Sequence, residues 1–536
     1  WFATPAAGAD APAEPGALRR RLDAAVSARR ASAQVAPAAR ADDVRLMRRM
    51  YLDVIGRPST AAKAAAFLAD PAPDRVGRLA DRLLADPEMP VYWRRVLDGW
   101  FSGEALGERR AGHDEWLDWL ERSLAADKPW DRMARELLVP DPADPDQAGA
   151  SYFLASRLAG EKSSRLDTIA TDVASALFGV QLQCAKCHDH PFVAEWRQDH
   201  FYGLAAFFAR TESKNDKGRF VLQTRPAGEV TFTARKRERT AAAMFLDGVV
   251  LDAPAAATGK GRPAPAAGAP DRRRLLADHA LRPESPYLKR SLVNRVWKQL
   301  MGRGLVEPVD QIHAANPASH PELLDALADD FAAGGFRLRR LMAGILHSDA
   351  YRRDSRRPGS PRPPDELYAA AIIKPLSGVQ MAWSLTVASG ATDQLAARFA
   401  KDKNAPSAPA PVPGAVTPAL RRRWERDREF QQIAAKFPPS GETFQANAGQ
   451  ALFLTFNPLT RKLVQPAPGN LAQRVADAAD AAQAARLAFL AVLSRPPEPD
   501  ELAEAAGFLA ASADRRRAAG DLVWALLTSA EFRFSH

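Results

Sequence analysis

The sequence predicts a mainly α protein, a multi-helix bundle of two helical domains with a small antiparallel β insertion. Apolar residues recur at helical spacing through most of the chain. Runs of β-branched and aromatic residues are confined to one stretch, 218–251. Segments rich in Ala, Pro and Gly separate the helical blocks. With 536 residues, the chain is long enough for two or three domains that each bury a core.

These patterns divide the chain into four segments. We expect an Ala/Pro/Gly-rich tail or linker at 1–16, a first helical domain at 17–215, the β insertion with an Ala/Pro linker at 216–270, and a second helical domain at 271–536. The short runs that predict strands all fall inside the third segment, and they are Phe220–Leu222, Val230–Thr233 and Met244–Leu246.

The helices are predicted in chain order from apolar spacing and capping residues. The pattern that starts near Asp42 should end at Gly56, after which Ser59 or Thr60 should cap a helix over 61–69. Leu166 to Phe178 form an apolar stripe of a further helix. The remaining predicted helices are 75–84, 92–101, 116–125, 130–138, 273–281, 287–301, 320–333, 338–347, 418–436, 470–493, 499–511 and 515–528.

Two pairs of segments resemble each other. Tyr51–Pro58 is similar to Phe489–Pro496, and Leu346–Arg352 is similar to Leu527–Arg533. This internal sequence similarity predicts that a helix–turn–helix unit occurs twice in the chain. Two copies are too few for a solenoid, which needs at least three.

The two cysteines of the chain lie in one short motif, Cys184-Ala185-Lys186-Cys187-His188, directly after an apolar helix. The spacing C-x-x-C-H is typical of covalent haem c attachment. Each thiol would form a thioether to one haem vinyl group, and His188 would be the proximal iron ligand. A second apolar stripe follows near Phe201, so we expect the motif in a bend between two helices.

Three alternative interpretations of the motif stay open. Cys184 and Cys187 could hold zinc with nearby histidines, although the spacing differs from common zinc motifs. They could form a redox-active dithiol, although such sites usually lie near a βαβ unit. They could also be inert.

Three further residues are candidates around a haem. His320 is the favoured sixth iron ligand, since helix capping at that position does not require a histidine. His190 could bond a haem propionate or order the bend. Arg295 could pair with a propionate through a bidentate contact, or with a carboxylate such as Asp310.

Charge and hydropathy limit the partners. The net charge of +10 and the isoelectric point near 9.7 favour an acidic partner. No basic run is interleaved with aromatic residues, so we expect no nucleic acid. No apolar run reaches 18 residues, so we expect no membrane span in this chain.

The chain starts at Trp1, and c-type haem is attached outside the bacterial cytoplasm. We therefore expect a removed signal peptide and a periplasmic or otherwise exported protein.

Longer motifs carry a resemblance to a known family. Gln183–Phe192 with Trp196 and Phe201–Phe208, Arg48–Pro58, Leu292–Trp297 and Asn316–Leu324 together resemble the planctomycete cytochrome-associated proteins of unknown function. In that family a PSCyt-type domain is followed by a PSD-type domain. The resemblance covers nearly the whole chain, and it implies an exported protein that binds haem.

The combined expectation is an exported c-type haem protein with one covalent haem, which transfers electrons to or from a redox partner protein. One alternative is a peroxidase-like haem enzyme with an open distal site. Another is a scaffold protein of an exported complex in which the haem is structural. An oligomer is compatible with all three.

Overall fold

The protein is mainly α, which confirms the predicted fold class. The computed structural model describes residues 15–101, 111–161, 164–216, 219–234, 236–252, 271–357, 361–400, 416–438 and 447–536. The predicted linker at 253–270 and nearly all of the predicted tail lie outside the described residues.

The helices follow the chain in an almost unbroken series. Short 3₁₀ turns lie at Pro145–Ser151, Gln183–Lys186 and Asp365–Leu367, and a π turn spans Tyr51–Ile55. The α-helices are α1 (Pro15–Ser32), α2 (Asp43–Met50), α3 (Ala61–Ala69), α4 (Arg75–Ala85), α5 (Glu88–Phe101), α6 (His113–Ala125), α7 (Trp130–Leu138), α8 (Tyr152–Leu158), α9 (Arg165–Phe178), α10 (Gln198–Ala206), α11 (Arg272–Ala280), α12 (Pro286–Met301), α13 (Pro321–Ala333), α14 (Leu338–Leu346), α15 (Gly378–Ala388), α16 (Thr392–Ala400), α17 (Pro418–Glu425), α18 (Arg428–Ala434), α19 (Ala448–Phe456), α20 (Pro458–Val464), α21 (Leu471–Asp477), α22 (Ala481–Leu493), α23 (Pro499–Ala511), α24 (Arg515–Thr528) and α25 (Ala530–Arg533). Among the described residues no helix is both long and apolar enough to cross a membrane.

The strands form antiparallel pairs, and the pairs do not join into a larger sheet within the described residues. Three consecutive pairs occupy the predicted β insertion and extend slightly before it. They are β1 (Thr211–Asp216) with β2 (Arg219–Thr224), β3 (Thr231–Ala234) with β4 (Arg237–Thr240), and β5 (Ala243–Met244) with β6 (Val250–Asp252). A fourth pair joins β7 (Lys374–Pro375) and β8 (Phe534–Ser535).

Two predicted long helices are each divided in two. The helix expected over 418–436 is broken between α17 and α18, where the Asp427 carboxylate accepts the backbone N–H of Glu429 at 2.9 Å. The helix expected over 470–493 is broken between α21 and α22, where Asp480 accepts the N–H of Gln483 at 2.7 Å. In both cases an aspartate side chain caps a new helix start, and apolar periodicity alone does not register such a cap.

The chain folds into two compact units, each assembled from separate parts of the sequence. The first unit contains the described parts of 1–35, 97–103 and 109–348, and the second contains 36–96 and the described parts of 349–536. In the first unit, Trp116 stacks on Trp119 with ring centroids 5.3 Å apart. In the second, Trp383 is fully buried and packs against Phe430.

The first sequence echo has the same local structure in both copies, and both copies lie in the second unit. Gly56 and Ser494 each have a left-handed backbone, with φ of 77° and 60°. The next residue in each copy is an arginine whose Nη1 donates to the carbonyl of the following proline, at 2.9 Å for Arg57 and 3.1 Å for Arg495. A helix then begins at the matching position, α3 in one copy and α23 in the other.

Gly179 ends α9 and sets the direction in which the cysteine motif leaves it. Its φ of 68° is left-handed, which is the usual way for a glycine to end a helix. A Cβ at this position would lie 2.8 Å from Ile312 Cδ1 and 3.2 Å from Ser291 Cβ. The Gly179 carbonyl also accepts the backbone N–H of Ile312 at 3.0 Å, so the turn is packed and bonded at once.

We predict that Gly179→Ala destabilises the protein by about 2–4 kcal/mol, because backbone strain adds to the steric contacts. Gly248→Ala is the matched control, since its φ of 82° is equally left-handed but no atom lies within 4 Å of a Cβ there. Gly248→Ala should lower the free energy of unfolding by only about 1–2 kcal/mol, because it introduces backbone strain without a steric contact. Urea unfolding followed by circular dichroism measures both, and equal losses would contradict the packed turn.

Candidate functional site

The cysteine motif follows the packed turn directly. Val180 pairs with Gln311 in an isolated antiparallel bridge, and the chain then enters the 3₁₀ turn Gln183–Lys186. Cys184 and Cys187 are both exposed, and neither is in a disulfide. The motif therefore lies between α9 and α10 as predicted, with its two thiols on the surface.

The backbone conformation of the motif favours a close approach of the two cysteines. A 3₁₀ helix has three residues per turn, so side chains at i and i+3 eclipse. Its rise of about 2.0 Å per residue separates such Cα atoms by roughly 6 Å along the axis, within the range that a disulfide spans. Cys184 lies within this turn, and Cys187 follows it with helical backbone angles of −92° and −29°. From this backbone geometry we expect the two cysteines on one face of the turn.

The segment after the second cysteine is a closed loop from Lys186 to Gln198. The Gln198 side-chain Nε2 donates to the Lys186 carbonyl at 3.2 Å, and its backbone N–H donates to Asp189 Oδ1 at 3.1 Å. Inside the loop, the His190 N–H donates to the Trp196 carbonyl at 2.7 Å. Compact surface loops whose ends meet in this way are often functional.

The two histidines of the loop have different hydrogen bonds. His188 Nδ1 lies 2.8 Å from the Asp189 carbonyl, which can only accept, so Nδ1 carries the proton and Nε2 is the basic nitrogen of the neutral ring. His190 Nδ1 accepts two backbone N–H groups, from Phe192 at 3.2 Å and Val193 at 3.1 Å. These two bonds attach the His190 ring to the backbone of the loop.

A small charged and aromatic cluster flanks the second cysteine. Lys186 forms an ion pair with Asp167 at 2.8 Å, and this hydrogen bond raises the pKa of Lys186. Tyr202 stacks on Phe232 with ring centroids 4.3 Å apart, and burial raises the pKa of Tyr202. Both Lys186 and Tyr202 are near enough to Cys187 to interact with it electrostatically.

The other two predicted site residues have contacts away from the thiols. Arg295 donates through Nη2 to the Ser175 carbonyl at 2.8 Å, and Asp310 interacts with it electrostatically. This bond joins α12 to α9, but its acceptor is a backbone carbonyl and not the carboxylate that the sequence suggested as the alternative to a propionate. His320 is buried beside Ser319, whose hydroxyl lies 3.1 Å from His320 Nδ1, and near the arginines Arg29 and Arg30 of α1.

Some neighbours of the motif were not predicted. Gln198 closes the loop, and Tyr202 with Phe232 forms the aromatic stack next to Cys187. His313 lies near His190 and Glu195, and burial lowers its pKa. The aromatic density after the motif was a signal for Tyr202, whereas Gln198 and His313 have no distinctive sequence pattern.

The chain matches two family models in succession. Residues 21–213 match PSCyt2, described as a protein of unknown function (DUF1549), and residues 272–509 match PSD1, described as a protein of unknown function (DUF1553). The expected resemblance and the order of the two domains are thereby confirmed. No curated protein and no solved structure matches the chain.

These matches correct the functional expectation. Both families are of unknown function and no haem-binding family matches, so the prediction of an exported c-type haem electron-transfer protein is wrong as it stands. The haem-enzyme and haem-scaffold alternatives depend on the same haem and are withdrawn with it. The described residues also contain no group of three or more His, Cys, Asp or Glu side chains placed to hold a metal ion, which leaves the zinc alternative without a ligand set.

We predict a pH-dependent stability that originates at His320. Burial, together with Arg29 and Arg30, lowers the pKa of His320 from 6.5 to about 4. Because the folded state resists protonation, the contribution is complete above pH 6.5 and is lost as the pH falls towards 4. Relative to His320→Gln, the wild type should lose about 1–2 kcal/mol over that interval.

Urea unfolding midpoints at pH 7, 5.5 and 4.5 measure this difference. His188→Gln changes an exposed histidine of the same unit and should keep the pH dependence of the wild type. If the unfolding midpoints of the wild type and His320→Gln change with pH by the same amount, His320 is not the titrating group.

Proposed function

The chain belongs to the proteins of unknown function in which a PSCyt2-type domain is followed by a PSD1-type domain, and on that premise we propose a function from the site itself. We propose that Cys184 and Cys187 form a surface dithiol that exchanges disulfides with a partner protein. The observation that carries the proposal is the exposure of both cysteines, three residues apart, with Cys184 inside the 3₁₀ turn and Cys187 directly after it.

The geometry suits a dithiol that forms its own disulfide. Residues i and i+3 of a 3₁₀ turn have the Cα separation that a disulfide requires, so the bond needs little backbone movement. Exposure allows a second protein to reach the thiols, and access is a condition for thiol–disulfide exchange. The buried Ala185 anchors the turn while the two cysteines face the solvent.

The reaction would proceed in two exchange steps. One thiolate of the pair attacks a sulfur of the partner disulfide, that disulfide breaks, and the leaving sulfur takes up a proton. The second thiolate then attacks the mixed disulfide, which releases the other partner thiol and forms the Cys184–Cys187 bond. Two electrons pass to the partner, so the partner is reduced and this chain is oxidised. The reverse sequence of steps would oxidise a partner dithiol.

Other features of the chain bear on the partner. Phe192 projects from the closed loop with 84% of its surface exposed, which is unusual for a large apolar side chain and suits contact with another protein. The net charge of +10 favours an acidic partner. An exported location, as expected from the sequence, would suit this chemistry because disulfides persist outside the reducing cytoplasm.

We predict that the purified protein forms a reversible intramolecular disulfide between Cys184 and Cys187. Oxidation with glutathione disulfide should abolish labelling of both cysteines by a maleimide, and dithiothreitol should restore it. Intact mass spectrometry would show the loss of two hydrogens. Single Cys184→Ser or Cys187→Ser variants should instead keep one glutathione molecule as a mixed disulfide.

Two results would contradict the proposal. The first is a pair that stays as two thiols under oxidising glutathione. The second is a covalent adduct on the pair that dithiothreitol does not remove, because such an adduct occupies the thiols permanently.

We predict that Phe192 contributes to recognition of a protein substrate but not to the thiol chemistry. Phe192→Ala should slow the reduction of a protein disulfide such as that of insulin about fivefold, the effect of losing roughly 1 kcal/mol of apolar contact. It should leave the rate with a small aromatic disulfide unchanged. Phe508→Ala removes an exposed phenylalanine from the other unit and is the matched control. Equal rates for Phe192→Ala and wild type on both substrates would remove Phe192 from the proposed contact.

A further inference from the structure

The second unit contains a buried cluster of six charged side chains. Arg57 and Glu88 form a bidentate ion pair, in which Arg57 Nε lies 2.8 Å from Glu88 Oε2 and Arg57 Nη2 contacts Glu88 Oε1. Arg421 joins this pair through Nη1, which lies 3.3 Å from Glu88 Oε2 and 2.7 Å from the carbonyl oxygen of Ile55. The side chains of Arg57, Glu88 and Arg421 are at most 3% exposed.

The cluster continues around a second carboxylate. Arg94 Nη2 and Arg95 Nε approach the same oxygen of Glu425, at 2.8 Å and 3.0 Å. The other oxygen of Glu425 accepts the indole N–H of Trp383 at 3.2 Å. Arg421 lies over the Trp383 ring, with its guanidinium carbon 4.9 Å from the ring centre.

Arg421 shares its carboxylate partner in this cluster with another arginine. Its ion pair is with Glu88, which already holds Arg57 through both of its oxygens. Glu425 interacts with Arg421 electrostatically, but its oxygens are bonded by Arg94, Arg95 and the Trp383 indole. Arg57 and Arg421 therefore bring two positive charges to the single negative charge of Glu88.

Both carboxylates are ionised, so protonation does not change this balance. Burial alone would raise the pKa of Glu425, but Arg94 and Arg95 lower it to about 2. Arg57 likewise lowers the pKa of Glu88 against the effect of burial. At neutral pH each carboxylate contributes its full negative charge.

Asp86 and Lys63, which are described residues next to Arg57 and Glu88, do not supply the missing charge. Asp86 interacts electrostatically with Arg57, and Lys63 with Glu88, but these two groups form an ion pair with each other at 3.6 Å. Tyr51 near Arg57 is neutral, since burial raises its pKa to about 12. Incompletely paired charge away from water is costly, so a compensating partner is expected.

Arg421 also has an edge with no hydrogen-bond partner among the described residues. Its side chain is fully buried, and within that part of the chain its buried Nε and Nη2 groups meet no acceptor. These two nitrogens form the fork of a guanidinium that binds anions in a bidentate way. Buried N–H groups are nearly always satisfied by protein, water or an ion, so this edge indicates a missing acceptor.

We propose that the second unit binds a small inorganic anion, of the size of chloride or nitrate, at the Nε and Nη2 groups of Arg421. The anion satisfies both N–H groups and neutralises the charge that Glu88 shares between two arginines. A water molecule could satisfy the hydrogen bonds, but it would leave the charge unchanged, so the charge count favours an anion. This site is independent of the dithiol, since it lies in a different unit.

The first test is the anion dependence of thermal unfolding of the full chain. Chloride replaces gluconate at constant ionic strength, since gluconate is too large for a buried site. The melting temperature of the second unit should rise by roughly 2–4 °C for each tenfold increase in chloride above its dissociation constant. A melting temperature that does not depend on chloride would overturn the proposal.

Arg421→Met is the matched variant, because it removes the charge while keeping an unbranched side chain of similar length. Replacing a buried charge by an apolar group is often tolerated, and the chloride dependence should disappear in this variant. Arg398→Met, which removes a partly exposed arginine paired with Asp427 and Glu429, should keep the wild-type dependence. Equal dependence in both variants would place the effect elsewhere and overturn the assignment to Arg421.

A direct measurement covers the case in which Arg421→Met does not fold. Crystals of the wild-type chain grown with bromide in place of chloride should show an anomalous peak within hydrogen-bonding distance of Arg421 Nε and Nη2. Density for water at this position, without an anomalous signal, would overturn the proposal.

Discussion

The left-handed turn at Gly179 is the constraint on which the candidate site depends. It ends α9, and it has no room for a side chain because Ile312 and Ser291 occupy the space where a Cβ would lie. The hydrogen bond from Ile312 to the Gly179 carbonyl attaches the turn to a distant segment of the same unit. The 3₁₀ turn and the cysteine that follows it therefore begin at a fixed point of the fold, although both cysteines are exposed.

In the same unit, a loop held by hydrogen bonds lies next to the two exposed cysteines. Gln198 closes the loop behind the cysteines, and His190 orders its interior through two backbone hydrogen bonds. Backbone order of this kind holds the motif in place while both cysteines stay exposed. Disulfide exchange requires both conditions, because the thiols must meet each other and also a partner. Phe192 adds exposed apolar surface to the same loop.

The second unit shows how buried charge limits a fold. Glu88 and Glu425 each hold more than one arginine, so the guanidinium groups depend on carboxylates that they share. Removing one carboxylate would leave buried cations without that partner, at a cost of several kcal/mol. Among the described residues, the Nε and Nη2 groups of Arg421 have no acceptor. An anion at that edge would complete the arrangement by the same rule that governs the rest of the cluster.

The sequence by itself determined the fold class, most helices and the place of the cysteine motif, because these depend on neighbours within a few residues. Ala61–Ala69 and Trp130–Leu138 have the predicted bounds, since apolar spacing and caps act locally. The haem interpretation came from the same local spacing, but C-x-x-C-H does not specify what the thiols carry. Only the tertiary structure decided that Arg295 and His320 have other contacts, that Gln198 closes the loop, and that Arg421 is buried with an open edge. Those outcomes depend on packing between segments far apart in the chain, and local periodicity contains no information about it.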